Sequence, residues 1–171
     1  EHVRTVGHAA GGVEVIPIHG PYDRLPAALA GLREGRGLRA DMLLADLGFA
    51  SNQVDDPARG LSFKQDGPLD MRLDPTSGES AADLLARIAE PDLADLIFEF
   101  GEERLSRRIA QKLVHAREIA PITTTSRVAE IVRSAYPAAM ARKSRIDPAT
   151  RTFQALRIAV NNEMGRLDAL L

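Results

Sequence analysis

The 171-residue sequence contains no cysteine, and this absence excludes disulfide bonds, thiolate metal sites and cysteine nucleophiles. No apolar run approaches the ~18 residues that a membrane-spanning helix needs. The chain begins Glu1-His2-Val3-Arg4 without an apolar signal core behind it. The simplest interpretation is a cytoplasmic protein without membrane association. With 44% hydrophobic and 27% charged residues, the chain is long enough for a globular domain with its own core.

Several familiar catalytic and metal-binding motifs are also absent. The sequence has no G-x-S-x-G nucleophile elbow and no Walker glycine loop. The four histidines show no metal-ligand spacing; they are His2, His8, His19 and His115. The sequence therefore predicts no metal site, and any active site must be sought elsewhere.

The net charge of −2 conceals two parts of opposite sign. Between Arg104 and Arg157 there are twelve Lys/Arg and three Asp/Glu, a balance of +9, so the remaining residues carry −11. Such asymmetry is typical of a protein whose basic part meets a polyanion. Charge alone leaves two interpretations open, namely contact with RNA or DNA and a solvated, arginine-rich helical surface.

The first fifty residues alternate between strand and helix patterns. A β-branched run predicts a strand at residues 13–18, and apolar residues at helical spacing predict a helix from Tyr22 to Gly35. The nearly unbroken apolar run at residues 41–48 is typical of a buried parallel strand. This order predicts a βαβ unit, and therefore an α/β fold with a doubly wound sheet.

The remainder of the chain is a polar loop followed by helices. Residues 51–80 are rich in Gly, Pro and Asp, and a loop of this length is unusual unless it is functional. Asp66, Asp70 and Asp74 flank Arg72 there, as either a substrate-facing loop or an ion-paired turn. Five helices are then predicted: one capped by Ser80 with Asp83, one opened by Pro91, one over Leu105–Ala116, one after Thr123–Ser126 that ends by Pro137, and one carrying Phe153 to Leu167.

Asp46 stands at the carboxyl end of the second predicted strand, where open α/β sheets bind ligands. A carboxylate at this place can accept hydrogen bonds from an amino group of a cofactor or substrate. It can equally cap the segment that follows the strand.

Four blocks of sequence resemble a known family, the bacterial ribosomal RNA cytosine-N4 methyltransferases (the RsmH or MraW family). Residues 46–56 (D-L-G-F-A-S-N-Q-V-D-D) are similar to its D-L-G-x-S-S-x-Q-x-D segment. Residues 59–75 resemble its R-G-F-S-F-x-x-D-G-P-L-D-M-R-M-D segment. Two further signatures are matched by G-E-E-R at 101–104 and P-A-T-R-T-F-Q-A-L-R-I at 148–158.

The resemblance implies transfer of a methyl group from S-adenosyl-L-methionine to the N4 amine of a cytidine in 16S ribosomal RNA of the small ribosomal subunit. It implies cofactor contacts at Tyr22, Asp46 and Gln53, while no catalytic residue is assigned. The implied fold is a partial Rossmann-like methyltransferase sheet with an all-helical insertion domain. We expect residues 1–50 to form part of the core, 51–149 the loop and insertion, and 150–171 a helix that returns to the core.

Two family segments have no counterpart in this sequence. The glycine-rich first motif would lie before Glu1, and the S-F-H-S-L-E-D segment after Leu171. We therefore expect an internal piece of the enzyme that binds cofactor weakly by itself. Asp147 also stands where the family usually has His. We expect RNA to contact the basic helical part through phosphates, with the basic residues Arg142, Lys143, Arg145 and Arg151.

Other functions remain compatible with the sequence. They are a non-catalytic RNA-binding fragment, a DNA cytosine-N4 methyltransferase, and a helical protein-interaction module whose basic face meets an acidic protein. The oligomeric state is open, and a homodimer is one option.

Overall fold

The computed structural model describes residues 20–33, 41–42, 44–46, 54–141 and 145–170. The chain divides into two compact units, one of residues 1–45 with 164–171 and one of residues 46–163. We call the second the helical unit. The predicted divisions after residues 50 and 149 remain predictions.

The first unit contains two described helical stretches, namely residues 164–170 of the last helix and a segment near residue 25. A 3₁₀ turn at Tyr22–Arg24 leads directly into α1 (Leu25–Arg33), as the helical spacing in this region predicts. The predicted strand at 13–18 lies outside the described residues. The described residues of 41–48 (41, 42 and 44–46) are not in a strand. The α/β sheet therefore stays a prediction, because the part of the chain that can be described is helical.

The helical unit contains a 3₁₀ turn at Pro57–Arg59 and then a succession of helices. The described helices that begin within it are α2 (Ala81–Arg87), α3 (Glu90–Gly101), α4 (Ser106–Ile119), α5 (Thr125–Ala135), α6 (Ala138–Ala141), α7 (Ala149–Val160) and α8 (Glu163–Leu170). None of the helices in the described ranges is both long and apolar enough to cross a membrane.

Local sequence signals explain where several of these helices begin. The Ser80 side chain accepts from the backbone N–H of Asp83, whose carboxylate accepts from the N–H of Ser80, so the predicted capping box is confirmed. Pro91 stands in the first turn of α3, where its lack of an N–H costs nothing. The Thr124 side chain caps α5 by accepting from the N–H of Arg127.

Helix α3 is at the centre of the helical unit and packs most extensively against α4 and α7. Its buried side chains face the apolar stripes of both neighbours. The largest fully buried apolar side chains of this core are Leu69, Met71, Leu85, Leu93, Ile97, Ile109, Leu113, Val128, Val132 and Leu156. Each stabilises the folded unit by about 1.5–3 kcal/mol relative to an exposed position. The described contacts of α7 are with helices of the helical unit. The expected return of residues 150–171 to the methyltransferase core stays a prediction.

The predicted last helix over Phe153 to Leu167 is wrong in one respect, because it is two helices. Helix α7 ends at Val160, Asn162 adopts a left-handed conformation (φ 47°), and α8 begins at Glu163. Asn161 is buried at the break, where its Nδ2 donates to the carbonyl oxygens of Met71 and Arg157, each at 2.8 Å. A short polar side chain that bonds nearby backbone competes with helix continuation. Here that competition interrupts an otherwise continuous apolar stripe.

Candidate functional site

The three predicted cofactor contacts fall on different parts of the chain. Tyr22 opens the 3₁₀ turn before α1 and is half-buried. Asp46 is exposed and lies outside regular secondary structure. Gln53 lies outside the described residues. Tyr22 belongs to the first unit and Asp46 to the helical unit, and the three stay predictions as cofactor contacts.

The residue after Tyr22 carries a polar atom that sequence reasoning did not single out. Asp23 Oδ1 is buried and has no hydrogen-bond partner among the described residues. A buried acceptor without a donor costs about 1–3 kcal/mol, so such an atom is more often satisfied by a ligand or water than left alone. No motif in the sequence marks this position.

The polar loop before α2 is held by its own side chains and by close backbone contacts. Arg59 Nη2 donates to the carbonyl oxygens of Arg72 (3.1 Å) and Leu73 (2.8 Å). A Cβ added at Gly67 would lie 2.0 Å from the carbonyl oxygen of Pro57, so only glycine allows this approach. The R-G-x-S-F and D-G-P-L-D-M-R blocks are therefore two sides of one ordered turn.

The three aspartates around Arg72 bind donors of the protein itself. Arg72 donates from Nε and Nη2 to the two carboxylate oxygens of Asp70, at 2.8 and 2.7 Å. This bonding holds the pKa of Asp70 below its ordinary value. Asp66 accepts from the N–H of Ser126 at the start of α5, and Asp74 accepts from donors of its own turn. The geometry favours the ion-paired turn over the substrate-facing loop.

A chain of contacts joins this turn to the P-A-T-R-T-F block on α7. The rings of Phe63 and Phe153 meet edge to face, with centroids 4.7 Å apart, and the Arg133 guanidinium lies 5.5 Å from the Phe63 centroid. Arg133 also pairs with Asp147 at 2.8 Å, and Asp147 accepts from the N–H of Ala149 at 2.8 Å. Burial raises the pKa of Asp147, but these hydrogen bonds lower it to a larger extent. Asp147 is therefore an ion-paired cap of α7.

The G-E-E-R block packs directly on the same helix. A Cβ at Gly101 would lie 2.6 Å from the carbonyl oxygen of Arg151, so α3 and α7 meet here at backbone distance. Arg151 Nη1 donates to the carbonyl oxygen of Glu102 (2.9 Å), and Gln154 Nε2 donates to that of Phe100 (3.2 Å). Two carbonyls at the end of α3, which have no partner inside the helix, are thereby satisfied.

Glu103 is a buried carboxylate within this junction, only 2% exposed. One oxygen accepts from the N–H of Leu105 at 2.8 Å, and the other accepts from the hydroxyl of Tyr136. Burial, with added effect from Glu103, raises the pKa of Tyr136 well above its ordinary value. The adjacent Glu102 is exposed, and the sequence gives no signal that distinguishes these neighbouring glutamates.

A cavity of about 360 Å³ lies beside the Glu103–Tyr136 pair. Met140 and Ile146 contribute exposed apolar side chains to its lining. Arg104 and Arg151 are also among its lining residues. We call this cavity the Tyr136 pocket.

The described basic residues fall into two groups. The first group bonds to other parts of the protein; for example, Arg117 donates to the carbonyl oxygens of Leu85 and Ile88, and Arg133 pairs with Asp147. The second group is exposed, and its guanidinium groups make no hydrogen bond or ion pair within the described ranges; it comprises Arg104, Arg107, Arg108 and Arg145. Of the predicted RNA contacts, Arg145 and Arg151 are exposed, whereas Arg142 and Lys143 lie outside the described residues. Among described residues, no group of three His, Cys, Asp or Glu side chains could hold a metal ion.

Comparison with known proteins adds the family. The model of the MraW methylase family matches residues 10–171, so the chain belongs to the MraW methylase family. It is 53% identical over 144 residues to the ribosomal RNA small subunit methyltransferase H of Granulibacter bethesdensis, covering 84% of this chain and 42% of that protein. The protein of the same name from Sorangium cellulosum is 46% identical over 164 residues, covering 95% of this chain and 50% of that protein. The chain thus spans about half the length of the curated relatives it matches.

Proposed function

We propose that this chain is part of an enzyme that transfers a methyl group from S-adenosyl-L-methionine to the N4 amine of a cytidine in 16S ribosomal RNA. The observation that carries the proposal is membership of the MraW methylase family over residues 10–171. The relatives' name, ribosomal RNA small subunit methyltransferase H, gives the substrate class. We further propose that the enzyme acts in the cytoplasm, with a homodimer as one form to be tested.

The cofactor would be held by Tyr22, Asp46 and Gln53. S-adenosyl-L-methionine supplies a methyl group already activated on a sulfonium. The side chains present fit such a group, because Tyr22 offers an aromatic face and Asp46 an exposed carboxylate. The unpartnered oxygen of Asp23 is a further acceptor next to Tyr22. The residues of this chain orient the cofactor and the cytidine, and positioning accounts for much of the catalysis of such a transfer.

The helical unit would supply the RNA contacts. Exposed guanidinium groups that have no partner among the described residues lie on it at Arg104, Arg107, Arg108 and Arg145. Arginines that gain nothing from protein carboxylates remain available to RNA phosphates, and half or more of nucleic-acid hydrogen bonds go to phosphate and sugar. Their binding should weaken with salt, because each phosphate contact releases counterions.

The proposal is tested with the protein extended upstream and downstream to the length of its relatives. We expect the extended protein to transfer radiolabelled methyl from S-adenosyl-L-methionine to 30S subunits that lack the modification. Tyr22→Ala and Asp46→Ala should each raise the KM for cofactor about tenfold or more. Tyr22→Phe keeps the ring, and Asp41→Ala removes an exposed carboxylate five positions before Asp46 in the sequence, so both should remain close to the wild type. An extended protein that binds cofactor but leaves 30S subunits unmethylated contradicts the ribosomal assignment.

A non-catalytic RNA-binding role is the second candidate. It is favoured for this 171-residue chain by the exposed arginines of the helical unit that have no partner within the described ranges. Calorimetric titration with S-adenosyl-L-methionine separates the two roles. The extended protein should bind the cofactor with measurable heat, whereas we expect the 171-residue chain to bind it weakly. Equally absent binding by both proteins would favour the RNA-binding role.

A further inference from the structure

The Tyr136 pocket combines apolar side chains with cationic side chains whose hydrogen-bond donors are not all engaged within the described part of the chain. Arg104 makes no side-chain hydrogen bond or ion pair within the described part of the chain. Arg151 uses Nη1 for the carbonyl of Glu102. Asp147 also lines the pocket, but its charge is offset by Arg133 at 2.8 Å. Beside that neutral pair, the pocket lining therefore includes two arginines and the buried carboxylate of Glu103.

The apolar part of the pocket is held in place by a part-buried hydrogen bond to the buried carboxylate of Glu103. The Tyr136 hydroxyl donates to Glu103, which is also fixed by the N–H of Leu105. A buried, bonded pair of this kind keeps an aromatic ring in one orientation at low entropy cost. Met140 and Ile146, which are 49% and 51% exposed, extend the apolar surface toward solvent. Large apolar side chains exposed around a concave site are typical of a binding surface.

This division of apolar wall and cationic edge matches one nucleotide, which has an apolar base face and an anionic phosphate. The volume of about 360 Å³ lies at the small end of ligand pockets and suits a single unit. Single-stranded RNA is bound through such combinations of an aromatic platform and a positively charged groove. We propose that the Tyr136 pocket receives one nucleotide of a single-stranded RNA segment. Its base packs on Tyr136, Met140 and Ile146, and its phosphate binds Arg104 and Arg151. The choice of RNA as the partner rests on the proposed function.

Methionine-methyl NMR on the 171-residue chain tests where a nucleotide binds. The chain has four methionines, and of the three that are not buried, namely Met42, Met140 and Met164, only Met140 lines the pocket. Cytidine monophosphate should shift the Met140 methyl signal while buried Met71 and the other two stay unchanged. Inorganic phosphate should shift it far less. Equal shifts with inorganic phosphate, or shifts elsewhere only, would overturn a base-binding pocket.

Fluorescence anisotropy with a labelled ten-nucleotide single-stranded RNA tests the role of Arg104. Arg104→Ala should weaken binding about tenfold, which is the factor that one charge-assisted hydrogen bond contributes. Lys64→Ala is the control, because Lys64 is an exposed cation of the same unit that neither lines the pocket nor belongs to the arginines proposed to contact RNA. We expect its effect to be under threefold. Equal losses in both variants would mean diffuse electrostatic binding and would refute the pocket.

A ten-nucleotide RNA with abasic sites tests whether binding depends on the base or on the sugar-phosphate backbone. It should bind the wild-type chain more weakly than the intact RNA does, and Arg104→Ala should weaken its binding further, because the phosphates remain. Equal binding of the abasic and intact RNAs would refute a base-binding pocket. The RNA should also displace cytidine monophosphate from Met140; failure to compete would assign the pocket to a free nucleotide. If the nucleotide does not bind in the pocket, the extended protein can still methylate 30S subunits. If the extended protein does not methylate 30S subunits, the RNA-binding results on the 171-residue chain still stand. The two failures are therefore distinguishable.

Discussion

We expect replacement of Asn161 by alanine to destabilise the helical unit by about 3 kcal/mol. The amide makes three hydrogen bonds: Nδ2 donates to Met71 O and Arg157 O at 2.8 Å, and Oδ1 accepts from Leu73 N–H at 2.7 Å. Each contributes about 1 kcal/mol net. Met71 depends on them in particular, since it is fully buried with φ 64°, a left-handed conformation that costs a non-glycine residue about 1–2 kcal/mol.

The measurement is urea unfolding of the 171-residue chain at pH 7, followed by circular dichroism, together with a thermal melt. A loss of about 3 kcal/mol lowers Tm by roughly 6–12 °C for a chain of this size. Asn161→Asp is the sharper variant, because it keeps the shape while placing a carboxylate oxygen against the carbonyls of Met71 and Arg157. We expect it to be at least as destabilising as alanine.

The adjacent Asn162 is the matched control for these variants. It is exposed and has φ 47°, which glycine adopts without strain, so Asn162→Gly should change stability by less than about 0.5 kcal/mol. If Asn161→Asp were as stable as the wild type, the amide would act by shape alone. The hydrogen-bond argument would then be refuted.

Three further predictions concern other contacts. Tyr136→Phe should weaken the pH dependence of the free energy of unfolding above pH 10. The folded-state pKa of Tyr136 is raised, so its stabilising contribution is full below its unfolded pKa and is lost as pH rises. Urea unfolding of the variant and the wild type between pH 8 and 11 measures the difference. Asp70→Asn should weaken the pH dependence of stability in acid, because Arg72 lowers the pKa of Asp70 from 3.8. The wild type loses the stabilising contribution of Asp70 as pH falls below about 4. If the Tm of the variant fell in parallel with that of the wild type between pH 5 and 2.5, this expectation would be contradicted. Gly101→Ala should cost about 2–3 kcal/mol in chemical unfolding, since its Cβ meets a backbone oxygen at 2.6 Å, whereas Gly31→Ala in α1 meets nothing within 4 Å and should be neutral or slightly stabilising.

The helix starts were predictable because they depend on neighbouring residues. The capping box at Ser80 and the proline in the first turn of α3 are local signals, and each lies where expected. The break at Asn161 was not predictable, because the apolar spacing continues through it to Leu167. What ends α7 is a set of hydrogen bonds to Met71 and Leu73, residues 90 and 88 positions away.

The residues of the candidate site also divide into those that sequence signals predicted and those that they did not. The sequence blocks identified the family, which the match over residues 10–171 confirms. The cofactor roles of Tyr22, Asp46 and Gln53 remain predictions. The roles of Glu103 and Tyr136 could not be foreseen, since a glutamate in a run of charged residues is ordinarily exposed. Its burial follows from the close approach of α3 and α7 at Gly101, which no local pattern encodes.

The turn before α2 also has a consequence for the order in which the chain folds. Its backbone is held by partners that come much later in the chain: Gly67 N–H donates to Thr125 Oγ1, 58 residues on, and Leu73 N–H donates to Asn161, 88 residues on. Contacts between such distant residues require closure of long loops, which slows their formation. We infer that these two amides gain protection from hydrogen exchange only after α5 and α7 have docked. The turn therefore closes late, and the amide of Leu73 reports when the helical unit is complete.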